Sequence, residues 1–192
     1  MSIRMIDTGI DGFILRFANR DDIPLILELI RGLAEYEKLA HECIATEDLL
    51  RESLFSERPY AEVLVGEYEA TPVGFALFFH TFSTFLAKPG IYLEDLFVKP
   101  VWRGRGFGGA MLAYLAHIAV HRGCGRLEWS VLDWNEEAIR FYERLGATPM
   151  DGWTTFRLTG ETLQAVSARY ARRPPTSGID NSSDPSLTFG RG

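Results

Sequence analysis

The chain has 192 residues and a formal net charge of −6, with 46% hydrophobic and 24% charged residues. That is the size and composition of a globular protein with a core of its own. The acidic balance argues against a nucleic-acid partner, and no apolar run approaches the roughly 18 residues of a membrane span. With no signal-peptide core at the N-terminus and only Cys43 and Cys124 as cysteines, we expect a cytoplasmic protein with free thiols and no membrane partner.

Hydrophobic patterning predicts strands and helices in alternation. The first strand covers 13–17 and leads into Asn19, a helix cap, and an amphipathic helix that starts at about residue 23. In chain order, the further predicted elements are a helix at 47–55, a hairpin of strands at 61–68 and 73–82 with its turn at 69–72, a loop at 83–90, a strand from 91, a helix at 107–122, a strand at 126–132, a helix between the cap Asn135 and Gly146, a strand at 153–158 and a helix from 159 to about 170. We expect a mixed α/β fold with one domain over 1–171.

Residues 172–192 differ in composition from the rest of the chain. Pro, Ser, Gly and Asp dominate this stretch, and no hydrophobic period is visible. Such a composition cannot bury enough apolar surface to order itself, so a flexible C-terminal tail is predicted.

The stretch from Ile91 to Gly109 carries the main functional signal. It reads as a strand, a turn rich in Arg and Gly, and the start of a helix. A helix that opens behind glycines presents free backbone N–H groups and the positive end of its dipole, an arrangement that binds anions such as phosphate. Arg103 and Arg105 add positive charge beside that turn.

Two adjacent carboxylates, Glu94 and Asp95, interrupt the otherwise apolar strand before this turn. Strand alternation places Glu94 on the face of Tyr92 and Leu96, and Asp95 on the opposite face. Both acids could reach the same side only if the strand bulges.

Two other kinds of site fit the sequence less well. Gly104, Gly106 and Gly109 also satisfy the dinucleotide-binding pattern GxGxxG. The five residues between strand and glycines, and the hairpin before them, do not fit a parallel dinucleotide-binding sheet, and no GK[ST] follows for a P-loop. His117 and His121 have metal-ligand spacing but lack the glutamate of HExxH, so no metal site is expected.

The stretch LEDLFVKP followed by RGRGFG resembles the pyrophosphate loop of the GNAT acetyltransferases. The stretches LDWN at 132–135 and FYERLGA at 141–147 are similar to that superfamily's second coenzyme A signature. LAEYEKL at 33–39 and YLED at 92–95 resemble the diamine (spermidine/spermine-type) acetyltransferase subfamily, and HTFST at 80–84 is similar to its thialysine branch. The resemblance covers residues 13–168 in order.

The resemblance implies a GNAT fold, whose mostly antiparallel twisted sheet has a central splay and helices on both faces. It implies acetyl-CoA as cosubstrate, a homodimer, and direct acetyl transfer to a small primary amine in a ternary complex. The implied catalytic residues are Glu94, as the base that deprotonates the amine, and Tyr142, as proton donor to the departing thiolate. The implied cofactor-binding residues are Leu96, Phe97, Val98, Arg103, Gly104, Arg105, Gly106, Phe107, Gly108, Gly109, Asn135, Ala138 and Tyr142.

The implied substrate contacts are Tyr36, Glu37, Phe85, Glu94, Asp95 and Trp153. An aromatic face and carboxylates suit an ammonium group. Ser83-Thr84-Phe85 stands where the polyamine branch has Asp-Pro-Trp, which argues against long polycations. The alternatives left open are a protein or peptide acetyltransferase, an acetyl-CoA-binding protein without turnover, and a nucleotide-binding oxidoreductase.

Overall fold

A computed structural model describes residues 4–171. It contains one six-stranded sheet in the order β1-β2-β3-β4-β5-β6. The strands are β1 (Met5–Asp7), β2 (Phe13–Phe17), β3 (Glu62–Tyr68), β4 (Thr71–Ser83), β5 (Lys88–Val98) and β6 (Leu127–Trp129). The helices are α1 (Ile23–Tyr36), α2 (Glu47–Leu54), α3 (Phe107–His121), α4 (Glu136–Arg144) and α5 (Gly160–Ala171).

Neighbouring strands are antiparallel from β1 to β5, and only β5 and β6 pair in parallel. This topology confirms the expected mixed, mostly antiparallel sheet. It is not the parallel sheet of a dinucleotide-binding fold. The described residues form two compact units, one up to Ser130, which contains the whole sheet, and one from Val131 onward.

Helices α1 and α2 cover one face of the sheet. Their apolar residues form a core cluster with side chains from β3, β4 and β5, among them the fully buried Phe75. The repeat of apolar residues in α1 at three- and four-residue spacing explains this packing, because it gives the helix one apolar side. Pro24 lies in the first turn of α1, where no N–H is lost from the helix.

Helix α3 packs on the opposite face. The ring of Phe107 stacks on Phe13 of β2 with centroids 4.1 Å apart. Gly66 of β3 makes room for this layer, since a Cβ there would lie 2.9 Å from the Phe13 ring and 3.5 Å from the Met111 sulfur. The start of α3 is therefore held firmly against the sheet.

A buried ion triad joins the sheet to the start of α1. Arg16 donates from Nη1 and Nη2 to the two carboxylate oxygens of Asp22, at 2.7 and 2.8 Å, and from Nε to Glu67 at 2.7 Å. Asp22 also accepts the backbone N–H of Asn19 at 2.8 Å, which completes a capping box. Every charge in the triad thus has a partner.

Three predicted elements differ from the structure. The strand expected at 153–158 is not formed, and the strand expected at 126–132 is limited to Leu127–Trp129. Conversely, β1 was not predicted, because three residues are too few to show an alternating pattern. The β4–β5 connection is also shorter than expected, because β5 begins at Lys88 and pairs with Ser83.

Other expectations concern the chain as a whole. Cys43 and Cys124 are both free thiols, as expected. No helix within residues 4–171 is both long and apolar enough to cross a membrane. The tail predicted at 172–192 lies outside the described residues.

Candidate functional site

A β-bulge lies at Glu94. In the β4–β5 ladder Phe78 pairs with Leu93 and Leu77 pairs with Asp95, so Glu94 has no partner residue on β4. One extra residue in a strand shifts the alternation of everything that follows it. The strand therefore bulges at the two adjacent acids.

The simple alternation expected for this strand is wrong across the bulge. Phe97 pairs with Phe75 of the core cluster under α1, and Asp95 precedes it by two residues on that same face. Leu96 lies on the opposite face together with Leu93, whereas simple alternation places these two residues on different faces. The physical reason is that the extra residue inverts the side-chain order after Glu94.

Strands β5 and β6 part directly after the bulge begins. Their parallel pairing covers only Ile91 to Leu93. Tyr92 and Ser130, one from each side of this junction, share a 2.6 Å hydrogen bond between hydroxyl groups. Beyond this point β5 pairs with β4 on one side and, within residues 4–171, with no strand on the other, which matches the splay expected for the sheet.

The backbone of β5 directs N–H groups into the splay. The Ile91 N–H donates toward β6, to Arg126 O at 3.0 Å, whereas the Lys99 N–H donates toward β4, to Val73 O at 2.8 Å. Both residues are odd-numbered, so the direction inverts between them, as one bulge requires. Counting back from Lys99 by twos, the N–H groups of Phe97 and Asp95 point toward β4, and those of Leu96 and Val98 between them point away from it. They are donors for an oxygen that enters the splay.

The acids beside the splay have different environments. Glu94 is exposed, and Asp95 is half-buried. Burial, and then the charges of Glu94 and Glu37, raise the pKa of Asp95 to about 7. Burial also raises the pKa of Glu37 above its ordinary value. The structure therefore brings together three predicted substrate-contact acids, one from the end of α1 and two from β5.

The glycine turn has the geometry of an anion site. Gly104 and Gly106 adopt positive φ angles of 75° and 84°, a backbone region that residues other than glycine rarely occupy. Gly106 occupies the N-cap of α3, and no side chain caps the helix there. The N–H groups at 107–109 are consequently not bonded within the helix and point outward. Their chemistry fits the pyrophosphate of acetyl-CoA.

The two arginines of the turn are directed differently. Arg103 donates from Nε to Val98 O at 3.0 Å, and its guanidinium lies over the Tyr36 ring, 4.0 Å from the centroid. Arg105 instead lies over Trp102, at 4.8 Å. One ring face of Tyr36, which the sequence predicted to receive an ammonium, thus carries the guanidinium of Arg103.

A groove of about 740 Å³ runs between α1 and the end of β5. Tyr36, Phe97 and Lys99 contribute to its walls, together with Gly32 of α1. Its volume lies within the range of small-molecule sites. Sequence patterns gave no sign of this groove, because it depends on how α1 crosses β5.

Four predicted site residues belong to the second unit and are described within it. Asn135 caps α4, since its Oδ1 accepts the Ala138 N–H at 3.3 Å. Tyr142 lies on α4 beside Phe141, with ring centroids 5.2 Å apart. Trp153 is exposed in an irregular segment.

Phe85 is not brought to the acid cluster within one chain. Phe85 lies in the turn after Ser83, and its side chain is 95% exposed. Ser83 pairs with Lys88, which precedes Glu94 by six positions on β5. Six residues of strand span roughly 20 Å.

No group of three or more His, Cys, Asp or Glu residues within 4–171 is arranged to hold a metal ion.

Comparisons with known proteins identify a family. The profile of the acetyltransferase (GNAT) family matches residues 28–147. The chain is 39% identical to a thialysine N-epsilon-acetyltransferase of Bos taurus, over 81% of this chain and 97% of that protein. It is 35% identical to an L-ornithine N5-acetyltransferase of Arabidopsis thaliana, over 79% of this chain and 86% of that protein.

Two solved structures have a fold similar to that of this chain. An integron cassette protein from the mobile metagenome of V. cholerae superimposes with a TM-score of 0.67 at 26% identity, covering 81% of this chain and 98% of the other. An aminoglycoside acetyltransferase from a soil metagenome also gives a TM-score of 0.67, at 20% identity, with 78% and 98% covered.

Proposed function

The chain belongs to the acetyltransferase (GNAT) family, and from that premise we propose that it transfers the acetyl group of acetyl-CoA to the terminal amine of a small molecule. Among its relatives are enzymes named for thialysine and for ornithine. The observation that carries the proposal is the bulge at Glu94, which sets an acid cluster beside a splay with N–H donors.

The cosubstrate supplies an activated acetyl thioester when it is bound. The glycine turn from Arg103 to Gly109 holds its pyrophosphate through the open N–H groups of α3. The N–H groups of Leu96 and Val98 stabilise the negative charge that develops on the acyl oxygen, because they are fixed before the reaction. Asn135 and Ala138 complete the cofactor contacts on α4.

The amine must lose a proton, because its pKa of roughly 10 leaves it charged at neutral pH. Glu94 accepts this proton, directly or through water. It is exposed at the bulge and can therefore exchange the proton with solvent. Asp95 and Glu37 hold the cationic acceptor nearby.

Tyr142 donates a proton to the departing thiolate. Its position on α4, after the cap at Asn135, supports this role through the family resemblance. In the Tyr142→Phe variant, kcat should fall by a larger factor than the affinity for acetyl-CoA. An unchanged rate would make the residue a packing residue instead.

The protein acts as a homodimer in the cytoplasm. Phe85 is too far from Glu94 to contact the acceptor in its own chain. In a dimer it would contact the acceptor bound in the site of the other copy. Trp153 is the remaining acceptor contact. Sedimentation velocity at micromolar concentration should give twice the monomer mass, and a monomer at every concentration would refute the dimer.

The test of the function is thiol release from acetyl-CoA in the presence of thialysine, lysine, ornithine, short diamines, spermidine and a lysine-containing peptide. We expect release with a small terminal amine and little with the peptide. Release with the peptide alone would favour a protein acetyltransferase. No release at all, with acetyl-CoA still raising Tm, would favour a binding protein without turnover.

A further inference from the structure

The junction at which β5 and β6 part is bridged by side chains as well as by backbone. The parallel ladder between the two strands consists of three residue pairs and ends at Leu93 and Trp129. The next residue, Ser130, shares a 2.6 Å hydrogen bond between its hydroxyl group and that of Tyr92. Parallel pairing is slightly less stable per residue than antiparallel pairing. The position of so short a strand therefore depends on side-chain links such as this one.

The ring of Tyr92 is held from the other side of β5. Its partner on β4 is Phe79, and the two ring centroids lie 5.4 Å apart with the planes tilted by 34°. Tyr92 is half-buried, whereas Ser130 is exposed. A tyrosine side chain has only two rotatable bonds to order, so a ring that is already packed can hold a hydrogen-bond partner at a low entropic cost. Tyr92 thus connects β4, β5 and the end of β6.

This hydrogen bond lies on the acceptor face of the sheet. Tyr92 directly precedes Leu93 and therefore faces the opposite side, which is the side of Asp95. Leu96, the first proposed donor to the acyl oxygen, follows Leu93 by three residues, about 10 Å of strand. The bond is therefore located at the closed end of the splay, next to the proposed position of the acetyl group.

The angle at which the strands part determines how far the N–H donors lie from a group bound between them. Val98 follows Tyr92 by six residues, roughly 20 Å of strand, and over that length a change of about 3° displaces a point by about 1 Å. A displacement of about 1 Å from the reactive geometry can lower a rate by roughly 100-fold. A single hydrogen bond at the junction can therefore control the reaction rate while it adds little to the stability of the fold.

Resting on the proposed function, we propose that Tyr92 is a positioning residue, whose hydrogen bond with Ser130 fixes the closed end of the splay and thereby holds the N–H donors of β5 at the acyl oxygen.

The experiment is a double-mutant cycle on the two hydroxyl groups. It measures kcat of Tyr92→Phe, of Ser130→Ala and of the double variant, with saturating acetyl-CoA and the best acceptor of the amine panel. Tyr92→Phe keeps the ring beside Phe79 and removes only the hydroxyl group. Each single change should lower kcat by about 10-fold, because each removes the same hydrogen bond. The double variant should be no slower than either single variant, since no second bond is lost.

Further measurements separate positioning from stability. All rates are taken well below the Tm of every variant, so that a lower kcat does not reflect unfolding, and KM for the acceptor should remain unchanged. Ser130→Thr keeps a hydroxyl group and should retain most of kcat. Tyr114→Phe is the matched control, because it removes a tyrosine hydroxyl group from α3, where the ring stacks on His117. That control should have the kcat of the unaltered enzyme.

Two results would overturn the proposal. One is an unchanged kcat in either Tyr92→Phe or Ser130→Ala, which would make the bond structural only. The other is a double variant about 100-fold slower than the unaltered enzyme, because effects that multiply would show that the two hydroxyl groups act separately.

Failure of the proposed function is a separate outcome. If the unaltered protein acetylates none of the amines, calorimetric titration with acetyl-CoA and with CoA decides the inference, since only acetyl-CoA has the acyl oxygen. The unaltered protein should then bind acetyl-CoA about 3- to 10-fold more tightly than CoA, the effect of one or two hydrogen bonds. A ratio of affinities that falls close to one in Tyr92→Phe and in Ser130→Ala supports the inference. The same ratio in all three proteins overturns it.

Discussion

At the scale of single residues, Glu94 and Asp95 are neighbours in sequence with different surroundings. Glu94 lies in the bulge, in contact with solvent, while Asp95 is turned toward the α1 side of the sheet and is half-buried. Exposure favours rapid proton exchange, whereas burial among like charges opposes ionisation. The same functional group can thus serve as proton acceptor at one position and as a tuned binding group at the next.

The proposed base is tested by Glu94→Gln, which keeps the shape and removes the proton acceptor. We expect kcat to fall by about 100-fold or more, the lower end of general-base effects, with KM for acetyl-CoA unchanged. The loss should be greatest at low pH, where more of the amine is protonated. Steady-state rates across pH measure this.

Glu52→Gln is a suitable control for that variant. Glu52 is exposed on α2 and lies neither in the acid cluster nor in the wall of the groove. It should retain nearly full kcat. Unchanged turnover in Glu94→Gln would remove the base assignment.

Asp95 should oppose folding at neutral pH. Its pKa is raised from 3.8 to about 7, so folding stability is full below the unfolded value and declines as pH rises toward 7. Asp95→Asn should therefore raise the free energy of unfolding at pH 8, by on the order of 2 kcal/mol, or roughly 4–8 °C in Tm. The gain should vanish near pH 4. Thermal unfolding of both proteins at the two pH values checks this, and equal Tm at pH 8 would contradict it.

At the scale of elements, the junction from β5 to α3 carries three groups in chain order: the N–H donors of the splay, Arg103, and the N–H donors at the start of α3. The bulge frees N–H groups in the splay, and the glycine turn opens the helix behind it. Arg103 folds back from that turn onto Val98 O. The junction therefore connects the cofactor side with the acceptor side through a short length of chain.

The turn is tested by Gly106→Ala. A Cβ at φ 84° is strained, at a cost on the order of 1 kcal/mol, and the strain would displace the first N–H groups of α3. We expect weaker acetyl-CoA binding, by roughly 10-fold, together with a lower Tm. Calorimetric titration with acetyl-CoA measures the first effect.

Gly123→Ala provides the control for this variant. Gly123 has φ 67° and open space around it, but it follows the C-terminal end of α3. It should lower Tm similarly and leave acetyl-CoA affinity intact. Equal affinities for Gly106→Ala and the unaltered protein would show that the turn does not bind the cosubstrate.

Much of this junction was predictable, because each part has a local signature. Glycines before a helix indicated an anion site, and the family resemblance implied an opening of the strand at the two adjacent acids, whose pattern alone left the bulge undecided. The stack of Arg103 on Tyr36 was not predictable, since it joins residues 67 positions apart in sequence. The absent strand at 153–158 shows the opposite limit, because β-propensity alone cannot supply a partner strand.

At the scale of the whole molecule, the buried triad of Arg16, Asp22 and Glu67 ties α1 to the sheet. Burial opposes ionisation of Asp22, but the hydrogen bonds from Arg16 and from the Asn19 backbone prevail and lower its pKa below 3.8. The charged form is thus favoured in the folded state. Its contribution to stability is present above the unfolded pKa and is lost as pH falls through the lower folded value.

Asp22→Asn should destabilise the fold at pH 7 by about 3 kcal/mol, because Arg16 would lose a buried partner. The difference from the unaltered protein should shrink as pH falls below 3.8 and through the lower folded pKa, where Asp22 becomes protonated in the folded state too. Denaturant unfolding at pH 7 and at a series of falling pH values below 3.8 measures this. Asp48→Asn, which removes an exposed ion pair with Arg51, should change stability by less than about 0.5 kcal/mol.

The bulge at Glu94 makes this position of β5 different from its neighbours. Leu93 already pairs with Phe78 and Asp95 with Leu77, so deleting Glu94 would remove the extra residue and leave a regular ladder. Asp95 and Phe97 would stay on the α1 side, and the N–H groups of Leu96 and Val98 would still point away from β4. A deletion scan through this strand should therefore find residue 94 to be the position whose loss disturbs the fold least, although it removes the proposed base.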